Sequence, residues 1–146
     1  MLEKMLDKNF FRSLSNRIRK DYVEHIFEKG KDVFGKSYKP YSKEYGEAKR
    51  GNKIKRQSGA FANKVTPVLT GDFMNDAKPN HTRNSASVKF AAHGGKVNHL
   101  AKMGRKVTDD RQPFPKGVIN MIEREVKREV DSKFPKNKVV RIKIKK

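Results

Sequence analysis

The sequence contains no cysteine, so neither a disulfide framework nor thiolate chemistry is available, and a zinc site would lack its preferred sulfur ligand. It also contains no apolar run close to the roughly 18 residues that a membrane span requires. The first twenty residues alternate charged and apolar side chains instead of forming the apolar core of a signal peptide. We therefore expect a soluble protein that is not secreted, with no membrane contact, in a reducing cytoplasm.

Acidic residues are scarce, because 16 Asp and Glu face 36 Lys and Arg and leave a net charge of +20. Such an excess repels itself and attracts polyanions or acidic protein surfaces. The 146 residues suit a single domain over 1–146, but only 34% of them are apolar and the core must be small. Oligomerisation would supply additional burial.

Helical periodicity is clear at both ends of the chain. Apolar residues recur every four positions from Leu2 to about Lys29, which predicts a long amphipathic helix ended by Gly30. A second apolar stripe predicts a helix from Lys116 to Lys133, ended by Pro135. Between them, Asn84 to Ala91 predicts a strand.

The remaining segments carry weaker patterns. Between Lys36 and Arg56 eight basic and two acidic residues show no apolar period, which favours an exposed, mobile basic loop over 36–58. Thr70 could cap a short helix that places Phe73 inward and ends before Pro79. A turn is expected at Gly94 and Gly95, followed by a short helix from Val97 to Met103, and the alternation of the tail predicts a basic strand over 136–146.

No set of residues predicts catalysis, a metal site or a cofactor. Three histidines lie within twenty residues but at spacings that fit neither a helical zinc pair nor a zinc finger, and a Gly-Gly-Lys sequence lacks the other positions of a phosphate-binding loop. Two adjacent aspartates lack a partner acid, and one serine lacks a positioned base. These rejected candidates are His81, His93, His99, Lys96, Asp109, Asp110 and Ser58. We expect no enzyme.

Three short motifs occur in a fixed order between the two long helices. They are Tyr38-Lys39-Pro40-Tyr41-Ser42, then Thr70-Gly71-Asp72-Phe73, then Gly104 with Pro113-Phe114-Pro115. Their order and spacing, over about residues 10 to 134, resemble the tail-completion or neck proteins of tailed bacteriophages, the head-to-tail joining and virion morphogenesis family. Asp76, Ala101 and Gln112 depart from that family's usual Ser, His and Arg.

The resemblance implies a virion subunit of the α+β class, with both long helices packed on a small antiparallel sheet. The subunit would be assembled in the host cytoplasm and repeated as a ring, for which we expect six copies. The ring would join the head connector or adaptor to the tail tube or tail terminator and leave a channel for DNA. The basic residues expected to contact neighbours or the DNA path are Lys49, Arg50, Lys53, Lys55, Arg56, Arg141, Lys143 and Lys145. The motif residues Tyr38, Pro40, Thr70, Gly71, Phe73, Gly104, Pro113 and Phe114 would be structural.

The alternative that stays open is a basic protein that binds nucleic acid without sequence preference. A net charge of +20 alone supports phosphate binding with a steep salt dependence. Tyr38, Tyr41 and Tyr45 could stack on bases, although no recognised nucleic-acid-reading motif accompanies them.

Overall fold

The computed structural model describes residues 6–57, 59–63, 65–66, 71–92 and 94–133. Its two long helices and its two-stranded antiparallel sheet confirm the predicted α+β class. The elements in chain order are α1 (Lys8–Val23), extended by a turn of π-helix (Glu24–Glu28); α2 (Lys43–Arg50); a 3-10 turn (Gly59–Phe61); α3 (Asp72–Asn75); β1 (Ala77–His81); β2 (Ala86–Phe90); α4 (Gly94–Lys102); and α5 (Lys116–Lys133). None of the helices in these residues is long and apolar enough to cross a membrane.

Helix α1 does not start at Leu2 as predicted, because Leu6 and Asp7 lie outside it. Its cap is Asp7, whose carboxylate accepts a hydrogen bond from the backbone N–H of Phe10 at 2.8 Å. The predicted apolar stripe is buried from Leu14 to Phe27. The helix continues through its π-helical turn to Lys29, whose N–H donates to the carbonyl of Glu24 at 2.8 Å. Gly30 then ends the helix with φ of +63°, as predicted. A Cβ atom at this position would lie 2.8 Å from the carbonyl oxygen of Val65, so only glycine fits.

The sheet is a hairpin in which Ala77 pairs with Phe90 and His81 with Ala86. Strand β2 confirms the predicted strand, whereas β1 contradicts the expectation that Pro79 only terminates a helix. Thr82 donates to Ser85 across the turn, and the alternation of an antiparallel ladder then places position 79 where its N–H would point away from β2. Proline is tolerated there because it forfeits no ladder hydrogen bond.

The core lies between α1 and the sheet and continues towards α5. The ring of Phe73 packs edge-on against Phe27 at a centroid distance of 5.5 Å and stacks on Phe90 at 4.8 Å. Tyr22 is buried, and its hydroxyl donates to the carbonyl of Val107 at 2.7 Å. A second cluster joins the start of α1 to α5 through Leu14, Ile18, Val118 and Met121.

Two further expectations are wrong. The segment 36–58 is not a continuous loop, because α2 occupies Lys43–Arg50 and is capped by the hydroxyl of Ser42, which accepts from Tyr45 N–H. Gly94 and Gly95 do not form a turn but begin α4. The predicted strand over 136–146 lies outside the described residues.

Candidate functional site

The segment that contains α2 is attached to α1 by tyrosine and threonine hydroxyls. Tyr38 is buried and donates to the carbonyl of Ile26 at 3.1 Å, and burial raises the pKa of its phenol. Tyr41 donates to the carbonyl of Thr66. The Thr66 hydroxyl in turn donates to the carbonyl of Phe27 at 2.7 Å. The basic segment is therefore fixed to the end of the first helix at two points.

Lys49, in the last turn of α2, has only 1% of its surface exposed. Its Nζ donates to the Tyr41 hydroxyl at 3.2 Å and lies 4.8 Å from the centroid of that ring. Burial, with a smaller contribution from the positive charge of Arg105, lowers the pKa of Lys49 to about 8. The prediction that Lys49 contacts a neighbour is therefore wrong, because this side chain belongs to the interior.

Arg105 follows α4 and completes the cluster from the other side. Its guanidinium carbon lies 4.8 Å from the centroid of Tyr41, and its Nη2 donates to the carbonyl of Lys39 at 3.3 Å. Its Nε is buried without a hydrogen-bond partner. Within the described ranges, no carboxylate comes within ion-pairing distance of this guanidinium. One tyrosine ring is thus shared by two cations.

The other predicted contact residues lie in and after the end of α2. Arg50, Lys53, Lys55 and Arg56 are all exposed, and Arg56 adopts a positive φ of 62° in the turn that presents it. Together these four residues form a basic surface, called here the α2 turn. The predicted contacts Arg141, Lys143 and Lys145 lie outside the described residues.

The motif residues mostly face the core, as expected for structural positions. Tyr38, Phe73 and Phe114 all contact the same helical segment, at Ile26, Phe27 and Tyr22 respectively. Gly71 is buried with φ of +92° at the start of α3, and Gly104 ends α4 with φ of +75°. Pro40 and Pro113 are exposed. Thr70 lies outside the described residues, so its cap stays a prediction.

Asp109, one of the two adjacent aspartates considered as metal ligands, is engaged by basic neighbours. Asp109 accepts from the backbone N–H and from Nε of Arg111 and forms an ion pair with Lys106 at 3.1 Å. These hydrogen bonds, with the Arg111 N–H first, lower the pKa of Asp109 to about 2. In the part of the chain that the structure describes, no three His, Asp or Glu side chains converge as a metal site would require.

Arg105 is the residue of this site that sequence reasoning missed. It lies directly after Gly104, which the sequence marks as a helix end, but its contacts with Lys39 and Tyr41 are more than sixty positions away in the chain. No local pattern encodes such a contact.

No protein-family model, curated protein or solved structure matches this chain.

Proposed function

We propose that this chain is a structural subunit of a tailed-phage virion and forms a ring at the head–tail junction. The ring joins the head connector to the tail and leaves a channel through which DNA passes. The observation that carries the proposal is the convergence of the three spaced motifs. Tyr38, Phe73 and Phe114 contact one helical segment, so the motif order serves a single framework and not three unrelated loops.

The charge distribution supports the same function. A joining ring must contact other proteins on two sides and must tolerate DNA in its channel, and both neighbours can be anionic. The α2 turn presents four cations in seven residues. Tyr38 and Tyr41, which precede these cations in the chain, attach this segment to the core. This arrangement offers a basic contact surface on a fixed support.

The test is to look for the chain in purified tailed particles by mass spectrometry and to locate it by cryo-electron microscopy. We expect a ring of six copies between head and tail. Deleting the gene is expected to leave filled heads and separate tails that do not join. A chain that is absent from particles, and that stays monomeric when mixed with purified connector and tail proteins, would show the proposal to be wrong.

Nonspecific nucleic-acid binding is the second candidate, and the exposed cations of the α2 turn favour it. If these cations bind phosphates, the logarithm of the affinity for duplex DNA falls linearly with the logarithm of salt concentration, with a slope set by the number of phosphates neutralised. Tight binding of the isolated chain to DNA, combined with its absence from particles, would favour this candidate over the virion subunit.

A further inference from the structure

A cleft lies between the start of α2 and the end of α4, beside the two cations of the candidate site. Its volume is about 510 Å³, and its lining includes Tyr41, Tyr45, Leu100, Met103 and Arg105. The cleft is open to solvent and is not part of the α2 turn. Arg105 packs against the ring of Tyr41 and is one of the residues that line the cleft.

The apolar part of this cleft is exposed to solvent. Met103 has 46% of its surface exposed and Tyr45 has 37%, and they are two of the three large apolar residues with such exposure in the described ranges. Tyr45 packs edge-on against Tyr41 at a centroid distance of 4.8 Å, so it is held in place. Two exposed apolar residues on one cleft indicate a surface that another molecule covers.

The charged part of the cleft specifies what that molecule must bring. The guanidinium of Arg105 has no carboxylate partner among the described residues, and its only hydrogen bond there is the long one to the carbonyl of Lys39. A guanidinium in a partly apolar setting pairs best with a carboxylate, because both its terminal nitrogens can donate to the two oxygens. Lys49 adds a second positive charge behind the Tyr41 ring.

We propose that this cleft binds the carboxylate side chain of an aspartate or glutamate, presented next to an apolar residue by a partner protein. The carboxylate pairs with Arg105, and the apolar neighbour covers Tyr45 and Met103. The site stands independently of the virion proposal, since it requires only an acidic partner segment. A nucleic acid fits less well, because single strands bind along tracks of several cations with bases stacked in succession, whereas this cleft has one guanidinium and a short wall in which Leu100 and Met103 accompany the tyrosines.

The test uses the full chain, labelled with ¹⁵N, and two matched probes, acetyl-Leu-Glu-Leu-amide and acetyl-Leu-Gln-Leu-amide. We expect the glutamate peptide to shift the amide signals of Tyr45, Leu100, Met103 and Arg105, with a Kd on the order of millimolar. The glutamine peptide is expected to bind about tenfold more weakly, since it cannot form the charge-assisted pair. Equal binding of the two peptides would overturn the proposal.

Variants separate the charge from the apolar wall. Arg105→Gln is expected to remove the preference for the glutamate peptide, whereas Arg83→Gln makes the same charge change in the exposed hairpin turn and is expected to leave the preference intact. Because Arg105 also packs on Tyr41, Met103→Ser provides a second variant at an exposed position. This variant is expected to weaken the binding of both peptides severalfold without altering the dispersion of the amide signals.

Three results would contradict the site. They are an unchanged glutamate preference in a folded Arg105→Gln variant, an equal loss in Arg83→Gln, and unchanged peptide affinity in Met103→Ser. A short oligothymidylate serves as the nucleic-acid arm. If it shifts the same cleft residues at lower concentration than the glutamate peptide, the occupant is a nucleic acid and the proposal is wrong.

Discussion

The two long helices and the region between them differ more in the frequency of acidic residues than in the frequency of basic residues. The helical segments 8–28 and 116–133 contain ten basic and seven acidic residues in 39 positions. Residues 31–111 contain eighteen basic residues and again seven acidic ones, but in 81 positions. The density of basic residues is similar, so the middle region is strongly positive because acidic residues are rare there.

The ion pairs follow this difference. Arg17 pairs with Glu125 at 2.8 Å and connects the two long helices, and Lys133 pairs with Glu129 along α5. In the described part of residues 31–111, the ion pairs found all involve Asp109. The helices offset most of their own charge, whereas the middle region keeps a larger surplus that an external anion can neutralise.

The largest expected effect is on the helical core. Phe27 is fully buried against Phe73, so Phe27→Ala is expected to lower the free energy of unfolding by about 3–5 kcal/mol. Phe34→Ala is the matched control, since Phe34 is 40% exposed and its truncation is expected to cost less than about 1 kcal/mol. Urea denaturation measures both, and similar losses would mean that the core has been assigned to the wrong residues.

A smaller loss of stability is expected at Gly30, where the first long helix meets the middle region. Gly30→Ala forces a Cβ towards the Val65 carbonyl at a positive φ, and we expect a cost of about 1–3 kcal/mol. Gly59→Ala is the control, because a Cβ there meets nothing within 4 Å and its φ is not positive. Thermal unfolding compares the two. Equal melting temperatures would show that the approach of Val65 to Gly30 is not a constraint.

Lys49 tests whether a lysine of the middle region is buried in the interior while it carries its charge. Its folded pKa of about 8 lies below the ordinary 10.5, so between these values the unfolded chain binds more protons and stability gains with rising pH. Lys49→Met removes the cost of burying the charge and is expected to raise the free energy of unfolding at pH 7 by about 1–2 kcal/mol.

The advantage of Lys49→Met is expected to shrink as pH rises from 8 towards 10.5, because the wild-type lysine then loses its charge. Denaturant unfolding at several pH values measures this trend. Lys53→Met, at an exposed position, is the control and is expected to show no pH trend relative to the wild type. A difference between Lys49→Met and wild type that does not vary with pH would contradict the buried, charged state of Lys49.

Periodic patterns predicted the parts of the fold that bury a continuous stripe. Helix α5 occupies the predicted bounds Lys116–Lys133, and β2 falls within the predicted strand. Helix α2 was missed because no apolar stripe holds it, and its contacts are made by Lys49 and Tyr41 instead. Strand β1 was missed because proline normally breaks a strand, and only the register shows that Pro79 lies at a permissive position.

The candidate site was less predictable than the fold. Because lysine is rarely fully buried, the sequence predicted that Lys49 lies on the surface with the basic residues that follow it. The contact of Arg105 with Tyr41 depends on how α4 packs beside the middle region, which no spacing in the sequence reports. The exposure predicted for Arg50, Lys53, Lys55 and Arg56 agrees with the structure, whereas their function stays a prediction.

The smallest change in stability is expected for a variant of the α2 turn. The same variant tests the charge difference between the long helices and the middle region. Replacing Lys53, Lys55 and Arg56 together with Gln is expected to change the free energy of unfolding by less than about 0.5 kcal/mol, because all three are exposed. The matched control replaces Arg124, Lys127 and Arg128 of α5, which removes the same charge from the helical half.

The decisive measurement is the assembly of these variants with purified connector and tail proteins at low and high salt, followed by native mass spectrometry. The account predicts that the α2-turn variant folds normally but assembles less well, and that the difference from wild type is larger at low salt, where charge attraction is strongest. The α5 variant is expected to assemble like the wild type. Normal assembly of the α2-turn variant at both salt concentrations would contradict the claim that the surplus charge of the middle region serves contacts with anionic neighbours.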